Sequence, residues 1–203
     1  MVAVSTGRRT REAAASENDR LELSCAALPA VPLPSEPLRV RPVPRPFHVV
    51  LVEPEIPPNT GNIARLCAAA RCPLHLVGRL GFRIDEHAVR RAGLDYWPLV
   101  EVHRHPDLGA AESSIADSQA PASPRTWLFS GKSAKSYLEV HYQPGDLLVF
   151  GKESVGLPPA LLEERAASVV AIPTLGPVRS LNLSNAVAIA LYEALRQIGA
   201  LNV

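Results

Sequence analysis

The stretch FHVVLVEPEIPPNTGNIARLCAAA, residues 47–70, decides the fold of this chain. Its first part, FHVVLV, is an unbroken apolar and β-branched run with the length of a buried strand. Its last part predicts a helix packed on a sheet, because apolar residues recur at the spacing of one helix face. These residues are Ile63, Leu66, Cys67 and Ala70. A strand followed by a helix is the repeating unit of a parallel α/β sheet.

The chain beyond this stretch continues the alternation of strands and helices. Strands are predicted in LHLVG (74–78), LVEVH (99–103), TWLFS (126–130), DLLVFG (146–151) and SVVAIP (168–173). Helices are predicted in DEHAVRRAGL (85–94), in PPALLEE (158–164) and from about Asn182 to Ile198. We interpret GAAESSIADSQAPASPR (109–125) as a low-complexity surface loop with a frayed helical start. The pattern predicts an α/β fold with a mainly parallel sheet and flanking helices.

Residues 1–46 differ from this pattern. Seven prolines lie between Pro29 and Pro46, and proline removes backbone donors and restricts the residue before it. We therefore predict a mostly disordered, proline-rich extension over 1–46 and a folded domain over 47–203. The chain shows no apolar run long enough to cross a membrane and no secretory signal, so a cytoplasmic location is expected.

The composition argues against several classes of protein. A net charge of +1 provides no global field for nucleic acid, so any anion must be held by local clusters. The three cysteines, Cys25, Cys67 and Cys72, form no CxxC pair, which disfavours a disulfide framework and a structural zinc site. The six histidines are scattered along the sequence, and His103 and His105 lack further ligands at metal-binding spacing. No metal is therefore expected.

Polar loops follow the predicted strands, and ligands of α/β proteins collect beyond the carboxyl ends of strands. In EPEIPPNTGN (53–62), Gly61 is expected to permit a tight turn. The helix that follows can be capped by a polar residue of this loop: Asn59, Thr60 or Asn62. Arg65 would lie one turn into that helix, where its charge opposes the dipole and suits a bound phosphate. An arginine that simply extends into water is the alternative.

Two later loops are also unusual. FGKESVGLP (150–158) lacks both the GxGxxG and the GxxxxGK[ST] pattern, which disfavours a dinucleotide-dependent oxidoreductase and a P-loop NTPase. Its glycines would let backbone amides approach a ligand, and we expect the loop to lie outside the core, so that substituting Gly151 would spare the fold. RSLNLSNA (179–186) precedes an apolar helix, and Asn182 or Ser184 can cap it. One cap needs one such residue, so a helix start that faces a ligand is the second interpretation.

Four segments in order along the chain carry a family resemblance: VVLVEPEIPPNTGNIARLCAAA (49–70), RRAGLDYW (90–97), LLVFGKESVGLP (147–158) and RSLNLSNAVAIALYEALRQ (179–197). They resemble the successive motifs of the SPOUT superfamily of RNA methyltransferases. The resemblance is closest to its TrmL-type branch, which methylates the 2′-oxygen of the tRNA wobble nucleotide. It covers residues 47–199 and leaves the extension unexplained.

The resemblance implies a C-terminal trefoil knot, a rare exception to the rule against threaded chains. It implies that S-adenosylmethionine binds in the knot through loops that contain Phe129, Gly151, Ile172, Ser180 and Leu181. Around the reacting ribose it implies Asn59, Arg65, Glu153, Ser180 and Asn182. It also implies a homodimer that binds the tRNA anticodon stem-loop. The apolar face of the last helix could form the dimer interface or pack within its own domain: Val187, Leu191, Ala194, Leu195 and Ile198.

The glycine-containing loop departs from the TrmL-type pattern. Lys152, Ser154 and Val155 stand where that pattern usually has Pro, Thr and Arg, and Lys152 could replace the missing arginine as an RNA contact. Two alternative functions therefore stay open beside wobble methylation. One is 2′-O-methylation of another tRNA position or of ribosomal RNA. The other is a non-catalytic RNA-binding protein of the same fold.

Overall fold

The computed structural model describes residues 38–82, 99–119 and 124–202. Contacts within the chain divide it into two units, Met1–Leu38 and Arg39–Val203. The first unit lies outside the described residues apart from Leu38, and so does the helix predicted over 85–94. The disorder predicted for residues 1–46 therefore stays a prediction.

The second unit is built on a parallel sheet of six strands. The strands are β1 (His48–Val52), β2 (Leu74–Val77), β3 (Val102–His105), β4 (Thr126–Phe129), β5 (Leu147–Phe150) and β6 (Val169–Val170). Their order is β3-β2-β1-β5-β4-β6, and all five neighbouring pairs are parallel. The chain thus winds outward from β1 to β3 and then crosses to the other side of β1. The predicted α/β fold is confirmed, and the trefoil knot stays a prediction.

Helices cover both faces of this sheet. They are α1 (Pro57–Ala70), α2 (Leu108–Gln119), α3 (Pro159–Glu164) and α4 (Leu183–Gln197). Successive strand residues point to opposite faces, so Val49 and Leu51 join α1 and α4 in one core while Val50 joins α2 and α3 in the other. Within the described residues, no helix is long and apolar enough to cross a membrane.

Helix α1 begins earlier than predicted. Its first residues are Pro57 and Pro58, whose fixed φ suits a helix start and whose missing N–H groups need no cap. Ile56 occupies the N-cap position without a side-chain hydrogen bond. The predictions of a turn at Gly61 and of a cap at Asn59, Thr60 or Asn62 are therefore wrong. Arg65 lies two turns into the helix, away from its positive end.

Three other boundaries also differ. The third strand covers 102–105, not 99–103, and β6 has only two residues. The segment predicted as a loop over 109–125 instead forms most of α2, because Ala111 and Ile115 lie one turn apart and are buried in the second core. At its start, Asp107 Oδ1 accepts a hydrogen bond from the Ala110 N–H. The serine-rich composition concealed this apolar spacing.

The apolar face of α4 packs within its own domain. Val187, Leu191, Ala194 and Leu195 are all buried, and Ile198 packs against the same core. Burial of each large side chain contributes about 1.5–3 kcal/mol. These side chains therefore do not form a dimer interface. Cys67 is also buried in this core, as predicted, and burial raises the pKa of its thiol.

Candidate active site

Two polar loops meet at the carboxyl edge of the sheet because β1 and β5 are parallel neighbours. We call residues 53–56, which follow β1, the first loop, and residues 151–157, which follow β5, the glycine loop. The glycine loop turns back on itself through a bridge between Lys152 and Gly156, whose N–H donates to the Lys152 carbonyl over 2.8 Å.

A chain of side-chain hydrogen bonds joins three elements at this edge. Asn182, just before α4, donates from Nδ2 to Asn59 Oδ1 on α1 over 3.0 Å. Asn59 in turn donates from Nδ2 to Glu153 Oε1 on the glycine loop, also over 3.0 Å. The structure thus brings together three of the five residues predicted around the reacting ribose. The orientation of the Asn59 side chain is fixed, because its oxygen accepts from Asn182 and its nitrogen donates to Glu153.

Asn182 also caps α4. Its Oδ1 accepts hydrogen bonds from the Ser184 N–H (2.9 Å), the Asn185 N–H (3.4 Å) and the Ser184 hydroxyl (2.7 Å). The capping interpretation is therefore confirmed, and the amide nitrogen of the same residue makes the link to Asn59. That this helix start also faces a ligand stays a prediction.

Glu153 holds the first loop against the glycine loop. Its carboxylate accepts hydrogen bonds from the Glu55 N–H (2.8 Å) and the Ile56 N–H (3.2 Å), in addition to Asn59. It therefore binds the backbone just before α1, where the helix has no side-chain cap of its own. With these three donors, the carboxylate is suited to positioning the loop and the Asn59 amide.

Arg65, the remaining residue predicted on α1, lies further along that helix. It is on the exposed side of α1, six residues after Asn59, which corresponds to about 9 Å along the helix axis. An exposed guanidinium is suited to binding an anionic group. A role of Arg65 at the reacting ribose stays a prediction.

The predicted cofactor residues lie at the ends of three adjacent strands or in the loops that follow them. Phe129 ends β4 and stacks on Phe150 of β5, with ring centroids 4.5 Å apart. Ile172 follows β6, and Ser180 and Leu181 precede α4. A Cβ placed on Gly131, in the loop after β4, would be 3.8 Å from the Arg179 carbonyl oxygen. The loops after β4 and β6 thus approach each other closely, with an apolar ring pair beside them.

Gly151 is required by the glycine loop itself. It is buried, and a Cβ at this position would lie 2.1 Å from the Gly156 carbonyl carbon and 2.2 Å from the Leu157 nitrogen. Any side chain must therefore displace the returning backbone. The expectation that this loop lies outside the packed interior is wrong at Gly151, because the loop folds back onto it.

Lys152, considered above as a replacement RNA contact, is paired within its own chain, and the RNA contact stays a prediction. Its Nζ lies 2.8 Å from Glu53 Oε2 on the first loop, and this hydrogen bond raises the pKa of the lysine. Glu55 accepts a hydrogen bond from the Ser154 N–H over 3.1 Å, and Ser154 lowers the pKa of that carboxyl group. The charge of Lys152 is thus balanced by Glu53, and Glu55 binds the backbone of the same loop.

The structure also gathers four histidines that are scattered in the sequence. His48 Nδ1 lies 2.9 Å from His75 Nε2, and His75 Nδ1 lies 3.0 Å from His105 Nε2. His103 stacks on His75 with ring centroids 4.9 Å apart. Burial lowers the pKa of His48 to about 4 and that of His75 to about 2. The register of β1, β2 and β3 creates this cluster, so no local pattern could have predicted it.

Three of these imidazoles are joined by hydrogen bonds in the order His48, His75 and His105. Their ring nitrogens bond to one another and are not directed at a common metal position. Among residues 38–82, 99–119 and 124–202, no three His, Cys, Asp or Glu side chains are arranged to hold a metal ion. The Gln119 amide of α2 contacts His48, so this histidine lies between the sheet and that helix. The cluster belongs to the packing of the sheet against α2.

Known proteins share this sequence and fold. The model described as the SpoU rRNA Methylase family matches residues 46–192. The tRNA (cytidine(34)-2′-O)-methyltransferase of Acidovorax sp. (strain JS42) is 50% identical over 152 residues, which cover 74% of this chain and 91% of that protein. A solved structure described as "Structural insights into the 2-OH methylation of C/U34 on tRNA" is 44% identical, with a TM-score of 0.68, and the match covers 76% of this chain and 97% of that one. The SpoU methyltransferase AviRb from Streptomyces viridochromogenes, solved with AdoMet, is 27% identical with a TM-score of 0.66, covering 82% of this chain and 63% of that one.

Proposed function

Because the chain belongs to the SpoU methylase family, we propose that it is an S-adenosylmethionine-dependent tRNA methyltransferase acting on the ribose 2′-hydroxyl of the wobble nucleotide, cytidine or uridine 34. The observation that carries this proposal is the similarity to the Acidovorax enzyme across almost the whole length of that protein. The hydrogen bonds that join Asn182, Asn59 and Glu153 at the carboxyl edge support it, because ligands of parallel sheets bind there.

The loops at the ends of β4, β5 and β6 suit the cofactor. S-adenosylmethionine, when bound, supplies a methyl group activated by a sulfonium charge. The buried, stacked rings of Phe129 and Phe150 hold the ends of β4 and β5 together beside these loops, and Gly151 keeps the adjacent backbone free of a side chain. Backbone groups of Ile172, Ser180 and Leu181 would complete the site from the far side.

The roles of the polar residues follow from their chemistry. A guanidinium offers five donors and no acceptor, so Arg65 is suited to bind a phosphate or stabilise the developing alkoxide and not to accept the hydroxyl proton. Asn59 and Asn182 orient the ribose, since their amides are themselves held in place. Glu153 keeps Asn59 and the first loop in position. Alignment of the 2′-oxygen with the methyl group supplies much of the rate.

A homodimer in the cytoplasm is the proposed working form. The face of α4 first considered for the interface is buried in the domain core, but Ile189 and Tyr192 remain 39% and 47% exposed on the same helix. They are the side chains through which two copies could pack. The anticodon stem-loop is the proposed tRNA contact.

Nucleoside mass spectrometry of tRNA from a strain that lacks this protein tests the proposal. We expect loss of 2′-O-methylcytidine or 2′-O-methyluridine, mapped by fragment analysis to position 34, and its return when the wild-type gene is restored. Loss at another position or in ribosomal RNA would favour the alternative substrates. Unchanged methylation of all RNA would favour a non-catalytic RNA-binding role.

A further inference from the structure

An ion pair joins the two loops of the candidate site independently of Glu153. Lys152 Nζ lies 2.8 Å from Glu53 Oε2, with the two side chains 32% and 43% exposed. Lys152 stands between Gly151 and Glu153 in the glycine loop. Its position is therefore coupled directly to the proposed cofactor contact on one side and to the acceptor of the Asn59 amide on the other.

Glu53 is fixed in a conformation that non-glycine residues seldom adopt. Its φ of 49° is left-handed, and its N–H donates to the Val77 carbonyl over 2.9 Å. Gly78 leaves room for the side chain, since a Cβ there would lie 3.0 Å from Glu53 Cγ. One residue on, the Pro54 carbonyl accepts the Gly81 N–H over 2.9 Å. The segment after β2 thus holds the first loop from the side opposite the glycine loop.

The contacts between the first loop and the glycine loop are reciprocal. Glu55 of the first loop accepts from the Ser154 N–H, and Glu153 of the glycine loop accepts from the Glu55 N–H. The Ile56 N–H also donates to Glu153, and the Lys152–Glu53 pair adds a link made by two charged side chains. The strands β2, β1 and β5 are consecutive in the sheet, so the first loop lies between the segment after β2 and the glycine loop. The ion pair therefore connects the glycine loop to a loop that the segment after β2 also holds.

We propose that Glu53 and Lys152 are positioning residues that hold the glycine loop in the arrangement that binds S-adenosylmethionine, an inference that rests on the proposed function. The turn from Gly151 to Leu157 is too tight for a side chain at Gly151. A small displacement of Lys152 therefore changes the direction of the backbone groups of Gly151. Loss of the ion pair lowers the fraction of loops in the binding arrangement. The apparent affinity for the cofactor falls in proportion to the fraction of molecules whose loop is in the binding arrangement. The methyl-transfer step of the bound complex is unchanged.

The test compares Lys152→Met, Glu53→Gln and the double variant by calorimetry with S-adenosylmethionine and by kcat at saturating cofactor. We expect each single variant to bind the cofactor more weakly, by up to about fivefold, the upper limit for an exposed ion pair. The double variant should be no weaker than the weaker single one, and kcat should stay within about twofold of the wild type. Charge reversal, Glu53→Lys with Lys152→Glu, should recover part of the affinity.

Arg45→Met is the matched control, because it removes another exposed ion pair, with Glu101, at the opposite edge of the sheet. The cofactor affinity of this control should equal that of the wild type.

The difference in cofactor affinity between the wild type and Lys152→Met should become smaller as the salt concentration increases, because salt screens the ion pair. Unchanged affinity in the single variants, additive losses in the double variant, or a fall in kcat alone would overturn the inference. If the wild type binds the cofactor and methylates no tRNA, the proposed function fails while the binding comparison still tests the ion pair.

Discussion

Asn182 Nδ2 donates a hydrogen bond to Asn59 Oδ1 over 3.0 Å, across a separation of 123 residues in sequence. The same Asn182 side chain caps α4 through its oxygen. One amide therefore fixes the start of the C-terminal helix and links it to α1 and to Glu153. The cap of α4 depends on the side-chain oxygen of Asn182, and the link to Asn59 depends on its side-chain nitrogen. The two roles can therefore be separated by substitution.

Substitution of Asn182 should separate capping from catalysis. Asn182→Ala removes both roles and should lower the free energy of unfolding by about 1 kcal/mol. Asn182→Ser keeps a capping oxygen and loses the donor to Asn59, so it should recover most of the stability and little of the methyl transfer. Urea unfolding and single-turnover methylation of an anticodon stem-loop measure the two effects. Recovery of both by serine would show that capping is the only role.

Arg65→Ala should lower the single-turnover rate by about 10²–10³, the usual effect of removing one stabiliser of transition-state charge. Arg65→Lys should restore little, because bidentate phosphate binding needs the planar guanidinium. Cofactor affinity should not change, since Arg65 lies about 9 Å along α1 from Asn59 and away in sequence from the proposed cofactor loops. Weakened cofactor binding with normal methyl transfer at saturating cofactor would contradict this role.

The buried histidines should make the protein sensitive to acid. Burial lowers the folded-state pKa of His48 to about 4 and of His75 to about 2, so below pH 6.5 the unfolded chain binds protons that the folded chain does not. The free energy of unfolding should be flat above that pH and fall below it by up to about 1.4 kcal/mol per pH unit for each histidine. Urea unfolding at pH 7, 6 and 5 measures this slope.

The matched variants for this pH effect are His75→Gln and His141→Gln. His75→Gln should reduce the slope, whereas His141→Gln should leave it unchanged because His141 is exposed. A slope that is the same in all three proteins would show that other groups cause the acid sensitivity.

Gly151→Ala should lower thermal stability and abolish cofactor binding together, since its Cβ would lie 2.1 Å from the backbone of Gly156. Gly131→Ala provides the comparison, because a Cβ there meets nothing nearer than 3.8 Å. It should keep the stability of the wild type and weaken S-adenosylmethionine binding if the cofactor lies between the loops after β4 and β6. Calorimetry and thermal unfolding distinguish the two. Normal cofactor binding in Gly131→Ala would remove this loop from the site.

Removal of residues 1–44 should leave turnover at saturating tRNA unchanged and should weaken tRNA binding. The segment contributes six of the seven arginines before residue 47, which can add salt-dependent affinity for RNA. Titration of tRNA binding against salt compares the shortened and full-length proteins. Loss of turnover at saturating tRNA, or unfolding, would show that the segment belongs to the catalytic domain.

The errors of the sequence analysis have specific physical causes. The start of α1 was predicted too late because prolines and asparagines are typical of loops, whereas two prolines at a helix start remove the need for a cap. Helix α2 was predicted as a loop because serines and alanines hid the spacing of Ala111 and Ile115. In both cases tertiary burial, at Asn59 and Ile115 for example, decided between local alternatives.

The sequence by itself determined the alternating α/β pattern, the strands β1, β2, β4 and β5, and the polar loops after them, since apolar periodicity and loop composition are local properties. Only the tertiary structure decided what those residues contact. Glu153 bonds to Asn59 from 94 positions away, and His48 meets His75 because β1 and β2 are neighbours in register. Such contacts depend on the strand order β3-β2-β1-β5-β4-β6, which is fixed by the packing of helices on both faces of the sheet and which no short stretch of sequence encodes.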